Sequence, residues 1–454
     1  MRLPRWALVA AAAAEEACRF TIPIQVDGSR DVHYAAYDES RSAEDAARAF
    51  CATVGALGGD CVAVVAGHVA RRAKWQCGGA HPHAPLSPVA HEQLGPVDYE
   101  HPPPRFDAAG ALDDGVAYFH EHGYAVFAGV ADGGEVAAIK SKLWDFFEER
   151  FGVRRGDVAT WDLLPANEYG IMLQYGVGQS DALWRLRLNP NVSRVFAAVW
   201  RDDDLLTDFG GAVAFRPVRC TARWRTPERW YHVDMNAATY DGFESVQGFL
   251  ALSDNAAETG GLVVIPGSRR FHRDVSARAA QWWGVHDPDH QFLLARPDDP
   301  ALLGAAPKFV ACAAGDLVLW DSRLLHASTN ARVPHRGVSR DAGRVWFDDD
   351  ATATPGDRTK RALKRLASIA GFGHFPIDAS CLNDTAPELQ RLVALVSMAP
   401  RSKAPEDVLV KRRGAYVGEQ TTSHWPFRFD ADAPTEKPTR RDADLTPAMR
   451  RLIG

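Results

Sequence analysis

The chain has 454 residues, 46% apolar and 24% charged, so it is long enough for about three average domains and has a globular composition. Its 52 basic and 58 acidic residues give a net charge of −6 without a long run of one sign, which argues against nucleic-acid binding. The 37 glycines and 28 prolines favour a loop-rich β architecture over a helical bundle.

The N-terminus carries a short apolar run. Basic residues precede nine apolar residues, Trp6 to Ala14, and acidic residues follow. Nine residues are too few to span a bilayer, and this order is typical of a secretory signal peptide. We expect either a signal peptide over residues 1–17, in a protein of the secretory pathway, or a short Ala-rich helix in a cytoplasmic one.

Residues 18–77 are predicted to form a small module. Alternating apolar residues over 19–36 surround a turn and predict a hairpin, and helical spacing over 42–57 and 60–72 predicts two helices. Residues 78–106, with seven prolines, are predicted to be a linker.

Four of the seven cysteines lie in this module. They are Cys18, Cys51, Cys61 and Cys77. In an oxidising compartment they can form two disulfides in any of three pairings. Free buried thiols and a zinc site with nearby histidines are the alternatives, although no Cys-x2-Cys spacing supports zinc.

The remainder, residues 107–430, begins with helices and continues as short strands. A helix ending at His122, a strand over 124–127 and a helix over 134–151 come first. From about residue 208 short apolar runs separated by turn residues predict an antiparallel sandwich or barrel. The runs cover 212–215, 246–252, 262–265, 309–311, 317–320 and 392–398. Residues 431–454 are predicted to be a polar tail.

Three side chains in this region have the chemistry of an iron site. His232 and Asp234 are separated by one residue, so on an extended segment they face the same side, and His326 follows 92 residues after Asp234. Two imidazoles and one carboxylate suit Fe(II), because they leave three coordination positions open.

Two further motifs give this triad its context. The strand-like segment Gly260–Ser268 lies between the ligand segments, and Ala314–Asp321 leads into His326. With these motifs, residues 107–430 resemble the phytanoyl-CoA dioxygenase (PhyH) family of Fe(II)/2-oxoglutarate oxygenases. The resemblance implies an α+β fold with a double-stranded β-helix (a jelly-roll, cupin-like core) and flanking helices.

The resemblance implies that His232, Asp234 and His326 bind Fe(II), which chelates the cosubstrate 2-oxoglutarate. An arginine then binds the distal carboxylate of 2-oxoglutarate. Arg336 lies ten residues after His326, a common distance in the family, and Arg391 opens a more convincing strand. We favour Arg391, which makes residues 331–386 an insertion.

Two more positions carry over from the family. Ser328 matches a family hydroxyl that hydrogen-bonds the cosubstrate, although it can equally be an ordinary serine at the end of a strand. Phe249 matches an aromatic residue that lines the cosubstrate pocket, although it can equally be an ordinary core residue. Residues 421–426 are predicted to lie at the pocket rim. We expect His272, His286 and His290, in a loop-like stretch, to be solvated or to support the site without binding metal.

The resemblance implies hydroxylation of a small organic substrate with O2, because Asp234 is kept whereas halogenating relatives replace it with a small residue. Succinate and CO2 would be the coproducts, and nothing in the sequence identifies the substrate. Two alternatives remain: a cupin-like metal-dependent isomerase or hydrolase that needs no 2-oxoglutarate, and a non-catalytic binding protein.

Overall fold

The structure is a computed structural model. It describes residues 19–25, 32–38, 41–54, 61–62, 65–66, 95–167, 169–221, 224–296, 298–332, 381, 388–431, 434–435 and 438–454. The predicted signal peptide, most of the predicted linker and insertion, and Arg336 lie outside the described residues. Described residues up to 66 belong to one compact unit, and those from 95 onward belong to a second.

The first unit contains the predicted hairpin and the first predicted helix. Strands β1 (Arg19–Gln25) and β2 (Val32–Asp38) pair antiparallel, and helix α1 covers Ala43–Val54. The hydroxyl of Ser42 accepts a hydrogen bond from the Asp45 amide and so caps α1. A disulfide joins Cys51 and Cys61, while Cys18 and Cys77 lie outside the described residues.

The second unit contains the remaining helices and strands. Its helices are α2 (Leu112–His122), α3 (Gly133–Phe151), α4 (Asp181–Arg187), α5 (Pro190–Trp200), α6 (His272–Trp283), α7 (Glu406–Val417) and α8 (Pro447–Ile453). Its strands are β3 (Arg105–Asp107), β4 (Tyr124–Ala128), β5 (Ile171–Met172), β6 (Leu205–Thr207), β7 (Ala212–Phe215), β8 (His232–Val233), β9 (Val246–Ala251), β10 (Gly261–Val264), β11 (Leu293–Leu294), β12 (Lys308–Phe309), β13 (Leu317–Asp321), β14 (His326–Thr329), β15 (Arg391–Leu395) and β16 (Met398–Pro400).

Two sheets form the core of this unit. One has the order β3-β4-β13-β9-β15-β7-β5 and the other β11-β8-β14-β10-β12, and all pairings are antiparallel except β3 with β4. Side chains alternate along each strand. On β13, for example, Val318 and Trp320 join an apolar cluster with Leu262 and Val264 of the other sheet. The two sheets therefore pack face to face, and their shared cluster surrounds the candidate site.

Helices cover the outer faces of both sheets. Leu317 and Leu319 of β13 pack in a cluster with Phe119 of α2 and Ile139 of α3. On the other sheet, Val275 of α6 belongs to the outer cluster. No helix among the described residues is long and apolar enough to cross a bilayer.

The structure corrects one predicted strand. The run 392–398 is not continuous: β15 pairs with β7 and β9, whereas β16 pairs with β6. The break occurs at Ser397, whose amide donates to the side chain of Asp208 and whose carbonyl accepts from the Asp208 amide. A side chain thus takes the place of a strand partner, which the hydrophobic pattern does not reveal.

Two other segments differ from the sequence-based expectation. His272 begins helix α6 and is buried, instead of lying in a loop. The segment predicted as a polar tail contains α8, whose Met449, Leu452 and Ile453 are buried. These three residues share one helix face, a spacing that the many charged neighbours obscure.

Candidate metal centre

The structure brings the three predicted ligands together. His232 on β8 pairs directly with His326 on β14, and Asp234 follows the end of β8. One ligand atom from each of the three lies within 4.8 Å of the others. The Asp234 Oδ2 atom is 3.5 Å from His232 Nε2 and 3.3 Å from His326 Nε2. This donor set fits Fe(II) with three open positions.

Backbone carbonyls orient both imidazoles. Nδ1 of His232 donates to the Trp230 carbonyl at 3.1 Å, and Nδ1 of His326 donates to the Leu324 carbonyl at 2.8 Å. Because a carbonyl only accepts, each Nδ1 carries a proton, so the neutral form of each ring presents its Nε2 lone pair to the site. Both rings are therefore in the tautomer that a metal requires.

Hydrogen bonds also fix the Asp234 carboxylate. Gln247 Nε2 donates to Asp234 Oδ2 at 2.8 Å and lies 3.3 Å from Ser322 Oγ. Burial alone would raise the pKa of Asp234, but His232 and His326 outweigh burial and hold this pKa well below its usual range. The carboxylate is thus ionised and ready to bind a cation.

Trp320 contacts the same nitrogen of His326 that a metal would use. Its Nε1 donates to His326 Nε2 at 3.2 Å, and burial, with the nearby His232, lowers the pKa of His326. The neutral imidazole has one lone pair at Nε2, so the indole and a metal compete for it. Metal binding therefore requires Trp320 to release this hydrogen bond.

Arg391 occupies a buried position on the inner face of β15. Its Nε donates to the Asn255 side-chain oxygen, and its guanidinium lies 5.0 Å from the Phe215 ring and 5.2 Å from the Phe249 ring. No acidic side chain among the described residues forms an ion pair with it. Burial lowers the pKa of Arg391 to about 10, which leaves it charged at neutral pH. A buried cation without a counterion fits an anionic ligand.

A row of contacts connects Arg391 to the triad. Phe249 lies beside Arg391, the rings of Phe249 and Trp320 are 6.0 Å apart, and those of Trp320 and His326 are 5.5 Å apart. Phe249 is buried, as the two interpretations of its role both require. A continuous row of side chains on the inner strand faces therefore links the Arg391 guanidinium to the three predicted metal ligands.

The remaining predicted residues are placed as follows. Ser328 follows His326 by two residues on β14, so both side chains share a face of the strand, and Ser328 is partly buried. Arg336 lies outside the described residues. His272 is not part of the ligand group: its Nε2 contacts the carbonyl of Met235, next to Asp234.

Sequence reasoning missed four residues that support the site. These are Gln247, Asn255, Trp230 and Trp320. A signal existed for Gln247, because it shares the inner face of β9 with Phe249, two residues away. No local pattern indicates Asn255, whose contact with Arg391 spans 136 residues.

Aromatic rings pack beside the buried His232. Trp230 stacks on this imidazole at 4.5 Å, and Tyr169 lies 4.1 Å from Trp230. Phe292 lies 4.8 Å from His232 and is 42% exposed. An exposed phenylalanine beside a buried polar group is typical of the entrance to a ligand site.

Comparison with known proteins agrees with this geometry. Residues 119–337 match the family model described as phytanoyl-CoA dioxygenase (PhyH), whose members use Fe(II) and 2-oxoglutarate. The chain is 32% identical over 185 residues to "Ava biosynthesis cluster protein O" of Aspergillus versicolor, covering 39% of this chain and 59% of that protein. It is 23% identical over 254 residues to a "Putative phytanoyl-CoA dioxygenase" of Dictyostelium discoideum, covering 46% and 69%.

Two solved structures match parts of this chain at low identity. The epimerase SnoN, crystallised with Fe3+, alpha ketoglutarate and nogalamycin RO, is 20% identical, covers 50% of this chain and 80% of its own, and gives a TM-score of 0.34. GIG2 of Candida albicans is 14% identical, covers 77% and 83%, and gives a TM-score of 0.41.

Proposed function

We propose that this protein is an Fe(II)/2-oxoglutarate-dependent dioxygenase that hydroxylates a small organic substrate, because residues 119–337 match the model of the phytanoyl-CoA dioxygenase (PhyH) family. The observation that carries the proposal is the convergence of His232, Asp234 and His326 within 4.8 Å. The two facing sheets would then be the double-stranded β-helix of this family.

In this proposal His232, Asp234 and His326 hold the metal. Bound Fe(II) with 2-oxoglutarate supplies the oxidation of a substrate C–H bond by O2, coupled to the conversion of 2-oxoglutarate to succinate and CO2. The carbonyls behind both imidazoles and the amide of Gln247 keep the three donors in place before any ligand binds. The retained Asp234 favours hydroxylation, as expected from the sequence.

Arg391 binds the distal carboxylate of 2-oxoglutarate. The guanidinium uses its Nε on Asn255, which leaves its two terminal nitrogens to form a bidentate pair with a carboxylate. Phe249 and Phe215 flank the guanidinium and reduce the access of water to it, which strengthens the ion pair. Ser328, on the same strand face as His326, can donate a hydrogen bond to the cosubstrate.

The aromatic rim provides the entrance for the substrate. Tyr169, Trp230 and Phe292 offer apolar contact area next to His232, and a substrate that covers them excludes water from the metal face. This arrangement restricts oxidation to the bound molecule.

Succinate release tests the proposal. Purified protein with Fe(II), 2-oxoglutarate and O2 is screened against a metabolite library, and we expect at least one compound to raise succinate formation together with its own hydroxylated product. Asp234→Ala abolishes this activity, whereas the control Asp298→Ala, at an exposed site, retains it. Turnover of a compound without succinate would contradict the proposal and indicate a cupin-like isomerase or hydrolase.

A further inference from the structure

Unpartnered polar atoms are concentrated in one short segment. Among the described residues, seven buried side-chain nitrogen or oxygen atoms lack a hydrogen-bond partner, and four of them lie between Ser423 and Arg428. The four atoms are Ser423 Oγ, His424 Nε2, Trp425 Nε1 and Arg428 Nη1. Because buried polar groups are nearly always paired, such a concentration indicates that partners are missing at this segment.

Three of the four side chains, those of His424, Trp425 and Arg428, lie close together in space. The His424 ring is 5.2 Å from the Trp425 ring, and the Arg428 guanidinium is 5.6 Å from the Trp425 ring and 5.5 Å from the Tyr240 ring. Trp425 and Tyr240 stack at 5.0 Å. One small molecule can therefore contact several of these groups at once.

The segment adjoins the metal triad. His424 is near Asp234 and His326, and burial lowers the pKa of its imidazole. Trp425 packs with Met235, the residue after Asp234. His424 is not part of the ligand group.

The chemistry of the open atoms limits the ligand. Trp425 Nε1 and Arg428 Nη1 can only donate, so they need an acceptor oxygen. Ser423 and His424 can donate or accept. The other terminal nitrogen of Arg428 lies 3.5 Å from exposed Asp289, a weak contact that leaves the guanidinium available for a further acceptor.

We propose that residues 423–428 form a substrate-binding wall that recognises a carbonyl or carboxylate oxygen of the organic substrate, with His424 nearest to the metal. The inference rests on the proposed function and adds a substrate class to it. Trp425 and Tyr240 pack against the apolar body of the substrate, and Arg428 and His424 bind its oxygen. Binding of the substrate oxygen by residues 423–428 determines which substrate C–H bond faces the metal.

A panel of matched compounds tests the substrate class. The panel contains cyclic and aromatic ketones and carboxylic acids, each beside an analogue in which a methylene or methyl group replaces the oxygen-bearing group. Succinate release is measured for the wild type, His424→Phe, His424→Gln, Arg428→Met and the control His101→Phe, whose side chain is 79% exposed.

We expect oxygen-bearing members to be active and their analogues to lose about tenfold or more in kcat/KM. His424→Phe and Arg428→Met raise the substrate KM by about tenfold, His424→Gln recovers part of the loss, and His101→Phe has no effect. Anaerobic titration shows 2-oxoglutarate binding close to that of the wild type in every variant, which also reports on correct folding.

Four results would overturn the inference while leaving the proposed function intact, and the first three concern the variants and the matched compounds. They are an unchanged substrate KM in folded His424→Phe and Arg428→Met, a change confined to 2-oxoglutarate binding, and a panel whose activity does not depend on the acceptor oxygen. A wild type that binds Fe(II) and 2-oxoglutarate but turns over no panel member also contradicts the substrate class. Failure to bind 2-oxoglutarate at all would instead contradict the proposed function.

Discussion

Among the described residues, the side-chain amide of Gln247 donates a hydrogen bond that positions the Asp234 carboxylate. Gln247 donates to Oδ2, the oxygen that faces both imidazoles. In the absence of this bond the carboxylate can rotate, and the donor set loses part of its preorganisation.

Replacement of Gln247 by leucine is therefore expected to weaken Fe(II) binding by about 10- to 100-fold with little effect on folding. The measurement is an anaerobic metal titration of Gln247→Leu, beside Gln281→Leu at an exposed position of α6 as control. Equal affinities for the two variants would show that Gln247 does not position Asp234.

Arg391 gives a second residue-scale prediction. Arg391→Met removes the buried positive charge but keeps a side chain of similar apolar volume. Because a charge-assisted hydrogen-bonded pair is lost, we expect the KM for 2-oxoglutarate to rise about 100-fold. The affinity for Fe(II) should not change. Kinetics with varied 2-oxoglutarate test this, with Arg401→Met as a control outside the inner face. An unchanged KM for 2-oxoglutarate in Arg391→Met would show that another cationic residue binds the distal carboxylate, with Arg336 as the first candidate.

The sequence predicts the three donors because their chemistry and spacing are readable, as in His232-x-Asp234. It predicts Arg391 because this residue opens an apolar strand. It does not predict the contact of Trp320 with His326 Nε2 or of Asn255 with Arg391, because side-chain hydrogen bonds depend on how strands distant in sequence pack.

At the scale of elements, a glycine turn sets the start of β13, the strand that leads to His326. Gly315 has φ +91°, and a Cβ at this position would lie 2.2 Å from the Ala131 carbonyl oxygen. Its neighbour Asp316 accepts two hydrogen bonds from Arg105 at 2.7 and 2.8 Å. The turn thus joins β13 to strand β3 and to the turn that follows β4.

Gly315→Ala is expected to destabilise the fold by more than about 3 kcal/mol, because a left-handed backbone and a clash with a carbonyl add together. Gly304→Ala is the matched control: Gly304 has φ +68° but no heavy atom within 4 Å of the added Cβ. This control should lose only about 1 kcal/mol. Urea unfolding of both variants checks the prediction. Equal losses of unfolding free energy would contradict a role for the close approach between Gly315 and the Ala131 carbonyl.

Strand boundaries show the limit of pattern reading at this scale. Residues 317–320 and 212–215 are confirmed within one residue, because each is a short apolar run bounded by turns. The run 392–398 is split into two strands because Asp208, 189 residues earlier in the chain, forms hydrogen bonds with the backbone of Ser397. The alternation of apolar and polar residues along one strand does not reveal a hydrogen-bond partner that is distant in sequence.

At the scale of the whole molecule, a disulfide connects two distant parts of the second unit. It joins Cys220 and Cys381, which are 161 residues apart and both 1% exposed. The sequence showed these cysteines only as scattered residues, because pairing depends on the folded chain. The bridge closes a long loop, so it restricts the unfolded chain strongly.

The double variant Cys220→Ser, Cys381→Ser is expected to lose about 4 kcal/mol of unfolding free energy. Urea unfolding with and without reductant measures this loss, and reductant should destabilise the wild type more than the double variant, which keeps the Cys51–Cys61 bridge. Identical unfolding curves for the oxidised wild type and the double variant would contradict the stabilising role of the bridge.

The most direct test of the metal centre is an anaerobic titration of the purified protein with Fe(II) and 2-oxoglutarate, followed by visible absorption. The wild type should develop a weak charge-transfer band that is absent in His232→Ala and in His326→Ala, while His101→Ala retains it. A folded wild type without this band, or variants with the same band, would contradict binding of iron and 2-oxoglutarate by His232, Asp234 and His326.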